Sequence, residues 1–292
     1  MFDSMGSILE ALSPEQQIAC STQNNILLTA CPGSGKTRTL THRLAYQVLR
    51  DPASKKIKIA ITYTNRAAEE ITNRLEGMNI DQSSIWAGTI HQFCMHFIIR
   101  PYAMYSKRLC KGYRIIDDYS KKAYGREIAE RLGMHLNYYD DPFQYENVRT
   151  EYKRVLKEKK EIDFDAILLI SEELLASCAF IGSNIASVIS SILVDEFQDT
   201  NELQYSILST IYKANKSIIL MFVGDVNQAI YSSLGGVAKG KKELETLYEI
   251  NFDSLSLKGC YRSTQRLVDL YSRFEISKTD AHLSLIHISE PT

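Results

Sequence analysis

The sequence predicts an α/β fold in which a parallel sheet is interrupted by a mostly helical insertion. Short apolar segments alternate with helical segments up to about residue 97, and the alternation resumes near residue 187. The intervening residues are rich in Tyr and Lys and contain few β-branched runs, a composition that favours helices. We therefore predict a core formed by residues 1–97 and 185–256, with residues 98–184 as the insertion.

The first part of the predicted core contains three strand–helix units. A helix is predicted over residues 8–22, with Ser13 to Gln16 as a cap and first turn. Short apolar strands are predicted at residues 24–30, 58–64 and 85–90, and a helical segment follows each of them.

The second part of the core continues the same alternation. An apolar segment at residues 187–197 is followed by a helix around residues 202–213 and a strand at residues 217–225. Because strands joined by helical crossovers run parallel, both parts are expected to contribute to a parallel sheet.

Composition and charge place the chain among ordinary globular proteins. It has 292 residues, of which 45% are hydrophobic and 24% charged, and its formal net charge is −1. Any contact with nucleic acid must therefore come from local basic clusters, which occur at residues 55–58, 107–114, 153–160 and 239–242. The alternative for each cluster is a solvated surface.

The six cysteines are scattered and include no Cys-x-x-Cys pair. This pattern argues against a zinc site or an iron–sulfur cluster and suits a reducing compartment. The N-terminus lacks the pattern of a secretory signal, and no apolar run approaches the roughly 18 residues of a membrane span. We therefore expect a cytoplasmic protein with no membrane partner.

The segment ACPGSGKT at residues 30–37 has the pattern of a phosphate-binding loop between a strand and a helix. Gly33 and Gly35 allow backbone N–H groups to close around an anion at a helix N-terminus. Lys36 is expected to reach the β- and γ-phosphates of a nucleotide, and the Thr37 hydroxyl to bind Mg²⁺. An ordinary glycine-rich turn is the alternative.

The segment DEFQDT at residues 195–200 follows a buried strand and supplies the acidic groups that such a loop requires. Asp195 is predicted to hold Mg²⁺, and Glu196 to orient or deprotonate the water that attacks the nucleotide. Two acids at this position indicate hydrolysis as well as binding. The Gln198 amide either reports on the γ-phosphate or the water, or caps the end of the strand.

Taken in chain order, these segments resemble the motifs of the UvrD/Rep-like superfamily 1 DNA helicases. The resemblance implies a RecA-like P-loop NTPase core that uses ATP and Mg²⁺ and acts on DNA. It is carried by LSPEQ (12–16), ACPGSGKT (30–37), ITYTNRAAEEI (61–71), GTIHQFC (88–94), FDAIL (164–168), LVDEFQDTNELQ (193–204), FVGDVNQAIYSSLGG (222–236) and CYRS (260–263).

The resemblance also implies which residues contact the nucleotide. Gln16 would read adenine, Tyr261 would stack on it, and Gln228 and Arg262 would contact the γ-phosphate as catalytic residues beside Lys36 and the acidic pair. Arg43 would face either the nucleotide or solvent. The segment expected to surround the nucleotide consists of Ala30, Cys31, Pro32, Gly33, Ser34, Gly35, Lys36, Thr37 and Arg38.

A groove for single-stranded DNA is implied by the same resemblance, lined by Tyr63, Thr64, Asn65, Thr89 and His91. Base–aromatic stacking contributes about 1–3 kcal/mol, and opening one duplex step costs about 1.4 kcal/mol. One ring such as Tyr63 can therefore offset one opened pair. The alternative for Tyr63 is a core position in its strand.

The implied function is that of an ATP-dependent helicase or translocase, 3′-to-5′ in polarity, in repair, replication or recombination. It would act on single-stranded DNA and on junctions with duplex. One alternative is a motor subunit of a helicase–nuclease or phage-defence complex with a nuclease partner, and another is a P-loop ATPase that is not a motor. The basic run at 153–160 would contact duplex ahead of the fork or form a solvated face.

The end of the chain carries two further expectations. Residues 257–282 resemble the start of a second RecA-like lobe, and residues 283–292 resemble a translated sequencing adapter. The later motifs of the family, including an arginine finger that contributes about 10³–10⁵ in rate, are missing. We therefore expect an N-terminal fragment that binds nucleotide weakly and does not unwind DNA alone.

Overall fold

The computed structural model describes residues 5–31, 33–137, 139–225, 239–259 and 261. These residues divide into two compact units. The first takes those within Met1–Ile90 and Gly182–Thr292, and the second takes those within His91–Ile181.

The first unit contains a sheet of six strands in which every pair of neighbours is parallel. This arrangement confirms the predicted α/β class. In spatial order the sheet runs β3-β2-β6-β7-β1-β8. Its strands are β1 (Ile26–Ala30), β2 (Ile57–Thr62), β3 (Ile85–Thr89), β6 (Ile189–Asp195), β7 (Ile219–Gly224) and β8 (Asp253–Leu257), while β4 (Arg114–Ile115) and β5 (Glu161–Ile162) pair in the second unit.

The register of the strands brings several chain segments to one edge of the sheet. Thr29 lies opposite Gly224, and Asp195 lies opposite Val223, so β7 separates the ends of β1 and β6 by one strand. In a parallel sheet the carboxyl ends share an edge, and this is where ligands bind. The residues that follow β1 and β6, and Asp225 directly after β7, therefore lie at that edge.

Twelve α-helices are present among the described residues, together with a π-helical turn at Cys94–Ile99. They are α1 (Met5–Glu10), α2 (Pro14–Ser21), α3 (Lys36–Arg50), α4 (Asn65–Gly77), α5 (Ile90–Phe93), α6 (Arg100–Tyr102), α7 (Asp118–Arg131), α8 (Glu146–Lys159), α9 (Phe164–Ser177), α10 (Ala179–Val188), α11 (Glu202–Ala214) and α12 (Lys241–Tyr248).

The single helix predicted over residues 8–22 is wrong, because the structure has α1 and α2 with a break between them. Ser13 is extended, with φ −66° and ψ 159°, and Pro14 begins α2. A residue before proline is disfavoured in helical conformation, and proline has no N–H to continue the helical ladder. The predicted cap at Ser13 is present: its side chain accepts from Gln16 N, and Gln16 returns the bond.

Apolar packing fixes α3 against the sheet. Ile26 and Leu28 of β1 share a core cluster with Leu40 and Leu44 of α3 and Leu193 of β6, and all five are fully buried. Burial of each such side chain contributes about 1.5–3 kcal/mol. This cluster sets the position of Lys36, the first residue of α3, relative to the end of β6.

The second unit is mostly helical, as predicted for the insertion, with the short parallel pair β4–β5 added to it. Its core forms where α7 packs on α8, around Ile116, Ile128, Val148, Tyr152 and Leu156. The sequence pattern did not predict the strands, since each is only two residues long.

None of the helices in the described part of the chain has the length and apolar character needed to cross a bilayer. Five cysteines lie in that part as thiols rather than disulfides: Cys20, Cys31, Cys94, Cys110 and Cys178.

Candidate active site

The loop between β1 and α3 has the backbone conformation of an anion cradle. Gly33 and Gly35 adopt φ values of +76° and +85°, which favour glycine because it lacks a Cβ. The Ser34 N–H and hydroxyl both bond to the Cys31 carbonyl, at 3.2 and 2.7 Å. The loop therefore turns tightly before Lys36 begins the helix, where backbone N–H groups point at a ligand.

The Gln16 side chain stabilises this loop through a hydrogen bond to its backbone. Its Nε2 donates to the Ser34 carbonyl at 3.1 Å, and its Oε1 accepts from Ser13 N at 3.1 Å. A Cβ on Gly35 would lie 2.7 Å from Gln16 Nε2, so only glycine fits there without a shift. Both ends of the buried amide are thus engaged with the protein, and adenine reading by Gln16 stays a prediction.

Lys36 and Glu196 form the central ion pair of the site. The Lys36 ammonium lies 3.0 Å from Glu196 Oε2, with 9% of the Lys36 side chain exposed. Glu196 adopts the left-handed conformation, with φ 50° and ψ 50°. That conformation costs about 1–3 kcal/mol in a residue other than glycine, so surrounding contacts must hold it. The sequence-predicted phosphate lysine and water-orienting acid are therefore in direct contact.

Asp195 lies beside this pair and contacts the Thr37 hydroxyl. Burial raises the pKa of the Asp195 carboxyl to about 7, and the charge of Glu196 adds to that effect. Lys36, the Glu196 N–H and the Thr37 hydroxyl act in the opposite direction. A buried carboxyl next to a hydroxyl, with its charged form disfavoured, is a group that a cation would stabilise.

The fit to Mg²⁺ follows from this pair of oxygens. Asp195 and Thr37 supply one carboxylate and one hydroxyl, and among the described residues no cluster of three or more His, Cys, Asp or Glu could hold a metal. Mg²⁺ takes few protein ligands and completes its octahedron with water and phosphate oxygens. The residues present therefore fit Mg²⁺ bound together with a nucleotide.

Gln198 connects the acidic pair to the end of β7. Its Nε2 donates to Glu196 Oε2 at 2.8 Å, and its Oε1 accepts from the Asp225 N–H at 3.1 Å. The side chain is 3% exposed. A Cβ on Gly224 would overlap Gln198 Oε1 and approach Phe197 Cδ1 to 2.6 Å, so the amide occupies the space that glycine leaves.

Asp199 is a site residue that the sequence reasoning missed. Burial raises the pKa of its carboxyl to about 6, with Glu196 adding to the effect and Lys36 opposing it. Its Oδ1 is buried and accepts no hydrogen bond within the described residues. The signal was present in the sequence, because Asp199 belongs to the same acidic segment, but its two neighbours were sufficient for the predicted chemistry.

The structure gives the contacts of three further residues that were predicted near the nucleotide. The Tyr261 N–H donates to the Gly33 carbonyl at 2.8 Å, which holds Tyr261 next to the loop. Arg38 Nη2 donates to the Ala11 carbonyl at 2.8 Å. Arg43 is fully buried, and both predictions for it are wrong: its guanidinium faces the carbonyls of Ala19 and Asn24 rather than solvent or the loop.

The residues predicted to line a DNA groove follow two adjacent strands. Thr62, at the end of β2, lies opposite Thr89 at the end of β3. Tyr63 follows β2 and is 45% exposed, so it is not a core strand residue. Thr64 caps α4 by accepting from Ala67 N. Tyr63, Thr64, Asn65 and Thr89 thus lie at the same sheet edge as the loop after β1.

His91 belongs to the second unit and is described there by its own contacts. Its ring meets the edge of Phe164 at a centroid distance of 5.8 Å. Burial lowers the pKa of the imidazole, although Asp165 and Asp118 act in the opposite direction. A neutral, half-buried His91 is therefore placed to offer a ring face or a hydrogen bond rather than a charge.

The family model described as "AAA domain" matches residues 15–234, about three quarters of the sequence. The chain belongs to this family. Among the curated proteins similar to this AAA-domain chain, the ATP-dependent DNA helicase PcrA of Leuconostoc citreum is 28% identical over 279 residues, covering 85% of this chain and 37% of the relative. DNA helicase II of Escherichia coli (strain K12) is 26% identical over 290 residues, covering 89% and 40%. The resemblance to UvrD/Rep-like superfamily 1 helicases is thereby confirmed.

One solved structure similar to this chain is the Pif1 helicase from Candida albicans. The TM-score is 0.47 and the sequence identity 13%, and the match covers 90% of this chain and 44% of that one. The AAA-domain chain spans about 40% of the length of the curated relatives that it matches.

Several predicted positions lie outside the described residues of the AAA-domain chain. They are Pro32 in the phosphate loop, and the catalytic candidates Gln228 and Arg262. Most of the predicted second-lobe start at 257–282, and all of the adapter-like segment 283–292, also lie there.

Proposed function

We propose that this AAA-domain chain is the nucleotide-binding part of an ATP-driven DNA helicase or translocase. The observation that carries the proposal is the convergence of Lys36, Thr37, Asp195 and Glu196 at the carboxyl edge of one parallel sheet. The names of the curated relatives, PcrA and DNA helicase II, support it.

In this role the Lys36 ammonium would exchange Glu196 for the β- and γ-phosphates, while backbone N–H groups of the loop hold the remaining phosphate oxygens. Thr37 and Asp195 would hold Mg²⁺, which when bound neutralises phosphate charge. Glu196, kept in place by Gln198, would orient the attacking water and accept its proton. Tyr261 would lie on the side of the loop where the adenine base binds.

Single-stranded DNA would lie along Tyr63, Thr64, Asn65 and Thr89, with His91 as a further contact. The supporting observation is the strand order, because β2 lies directly beside β6, with Ile61 opposite Val194. A structural change at the end of β6 when nucleotide binds would therefore occur next to the segment that follows β2. Stacking on the exposed Tyr63 ring would supply about 1–3 kcal/mol per base.

The finer parts of the proposal go beyond this core. We propose a 3′-to-5′ polarity, action at junctions between single and double strands, and a role in repair, replication or recombination. A motor subunit with a nuclease partner is the alternative, which co-purification of a nuclease would favour. We further propose that the 292-residue chain alone hydrolyses ATP slowly, because an arginine finger from the remainder of such enzymes contributes about 10³–10⁵ in rate.

ATP hydrolysis with and without single-stranded DNA tests the proposal. We expect slow turnover by the chain that DNA increases, and loss of that turnover in Lys36→Ala, because the loop after β1 no longer holds the phosphates. Glu196→Gln should retain nucleotide but hydrolyse it about 10²-fold more slowly, since it keeps the shape of the base without its charge. Turnover that is indifferent to DNA would indicate a P-loop ATPase that is not a motor, and turnover unaffected by either variant would refute the site.

A further inference from the structure

A cavity of about 820 Å³ lies within the second unit, between the loop at 107–111, helix α8 and the start of α9. Eight cationic and two acidic side chains line it. The whole chain has a net charge of −1, so this concentration of positive charge is local and does not reflect overall composition. Neither the nucleotide site nor the proposed DNA groove uses these residues.

Helix α8 directs only part of its basic run into the cavity. Lys153 and Lys157 line it, one helical turn apart on the same face. Arg154 instead pairs with Glu151 and Glu158. Lys159 Nζ lies 4.0 Å from the centroid of the Tyr124 ring. The run predicted at 153–160 therefore separates into cavity-facing cations and cations that already have partners.

Four of the eight cations that line the cavity have no acidic partner among the described residues, whereas Lys121 and Arg149 pair with carboxylates. In the part of the chain that the structure describes, Lys107, Lys111, Lys153 and Lys157 form no ion pair. Lys160 Nζ donates to the Lys111 carbonyl at 3.3 Å, which places a further ammonium beside Lys111. Like charges that face one concave space repel each other, and an anion with several charges relieves that repulsion.

The lining of the cavity also includes apolar and acidic side chains. The buried side chains of Tyr152, Leu156 and Ala166 belong to it. The Tyr152 hydroxyl donates to Asp163 at 2.9 Å, and Lys121 pairs with Asp165 at 2.5 Å. These contacts hold the two carboxylates in place, and they would repel a phosphate but accept a hydrogen bond from a hydroxyl or an amine.

We propose that this cavity binds a nucleoside polyphosphate as a second, non-catalytic nucleotide site. The phosphates would lie among Lys107, Lys111, Lys153, Lys157 and Lys160, the nucleoside would pack against the apolar lining residues, and Asp165 would accept a hydrogen bond from it. The volume falls within the about 300–1,000 Å³ typical of small-ligand pockets. A nucleic-acid strand fits less well, because its evenly charged backbone would pass the two carboxylates.

Calorimetric titration with ATP tests the proposal in a Lys36→Ala background, where the loop after β1 is disabled. We expect saturable binding that Lys153→Gln with Lys157→Gln weakens about tenfold, since two charge-assisted contacts are lost. Arg154→Gln with Lys159→Gln is the matched control, because it removes the same charge from the same helix outside the cavity. It should change ATP affinity by less than about twofold. Thermal unfolding of both double variants checks that each is folded.

Tripolyphosphate, adenosine and an oligothymidylate complete the test. Tripolyphosphate should compete with ATP but bind more weakly, and adenosine alone should not saturate the site. Equal affinity for tripolyphosphate and ATP, equal loss in both double variants, or no saturable ATP binding would overturn the proposal. So would a cavity pair that weakens oligothymidylate binding and leaves ATP binding unchanged, which would make the cavity a strand contact. These outcomes are independent of whether the loop after β1 binds nucleotide.

Discussion

Gln198 donates its side-chain N–H to the same oxygen of Glu196 that pairs with Lys36, at 2.8 Å. If Lys36 turns to a phosphate as proposed, the Gln198 amide would still hold the Glu196 carboxylate in place. The Gln198 carbonyl oxygen is anchored in turn on the Asp225 N–H. The acidic pair and the end of β7 are thus connected through one buried amide.

Replacing Gln198 with methionine, which keeps the volume but loses both bonds, should slow hydrolysis without preventing nucleotide binding. A hydrogen bond to a charged group contributes about 1.5–3 kcal/mol, so we expect a loss of roughly ten- to hundredfold in single-turnover rate. Nucleotide affinity, measured separately, should change little. A methionine variant with the original rate would show that the amide only fills space.

Gly224→Ala should destabilise the fold, because the new Cβ would overlap Gln198 and lie 2.6 Å from Phe197 Cδ1. Overpacking of this kind costs about 1–3 kcal/mol, measured as a change in the free energy of unfolding by denaturant. Gly77→Ala is the control, since a Cβ there meets nothing within 4 Å and Gly77 is helical. It should be neutral or stabilising by up to about 1 kcal/mol. Equal effects at both positions would contradict the packing at β7.

Mg²⁺-dependent nucleotide binding should weaken as pH falls below about 7. The pKa of Asp195 is raised to about 7 by burial and by Glu196, and a cation requires the ionised form. Binding below that pH must release the Asp195 proton, so affinity should fall up to about tenfold per pH unit. In the absence of the cation, the same raised pKa means that this carboxyl disfavours folding progressively as pH rises from about 4 to 7.

Proton release can be measured directly by titration in buffers of different ionisation enthalpy. The nucleotide contributes its own protons, so Asp195→Asn serves as the control that removes only the protein's share. The difference in proton release between the two proteins should approach one proton per nucleotide near pH 6 and vanish above pH 8, because a group with a pKa of about 7 titrates over about one pH unit on either side. The same proton release by both proteins would mean that Asp195 does not bind the cation.

Local sequence patterns predicted five of the six strands of the main sheet and the phosphate loop, because each depends on residues close in the chain, whereas β8 was not predicted. Gly33 and Gly35 predict a left-handed turn regardless of the residues that surround them. Arg43 shows the opposite case, since a cationic residue on an amphipathic helix is predicted to face solvent. The carbonyls of Ala19 and Asn24, which receive its guanidinium, are 24 and 19 residues away in sequence. The packing of α2 against α3 brings Ala19 to Arg43, and Asn24 lies in the segment that joins α2 to β1.

The hydrogen-bond partner of Gln198 could not be predicted from the sequence either. The sequence showed an amide among acids, but the Asp225 N–H that orients it lies 27 residues further along the chain. The cavity in the second unit belongs to the same category. Helical periodicity could have separated Lys153 and Lys157 from Arg154, but it could not place the loop at 107–111 opposite them.

Tyr63→Ala should weaken binding of an oligothymidylate, measured by fluorescence anisotropy. Loss of one stacked base costs about 1–3 kcal/mol, or roughly five- to hundredfold in affinity. Tyr119→Ala is the matched control, because Tyr119 is 83% exposed on α7 and is not among the residues proposed to line the groove. Tyr63 follows the strand next to Asp195, so its effect should also depend on nucleotide, whereas loss of Tyr119 should have no effect in either state. Equal losses in the two variants would assign the effect to general exposure of aromatic rings, and no loss at Tyr63 would remove it from the groove.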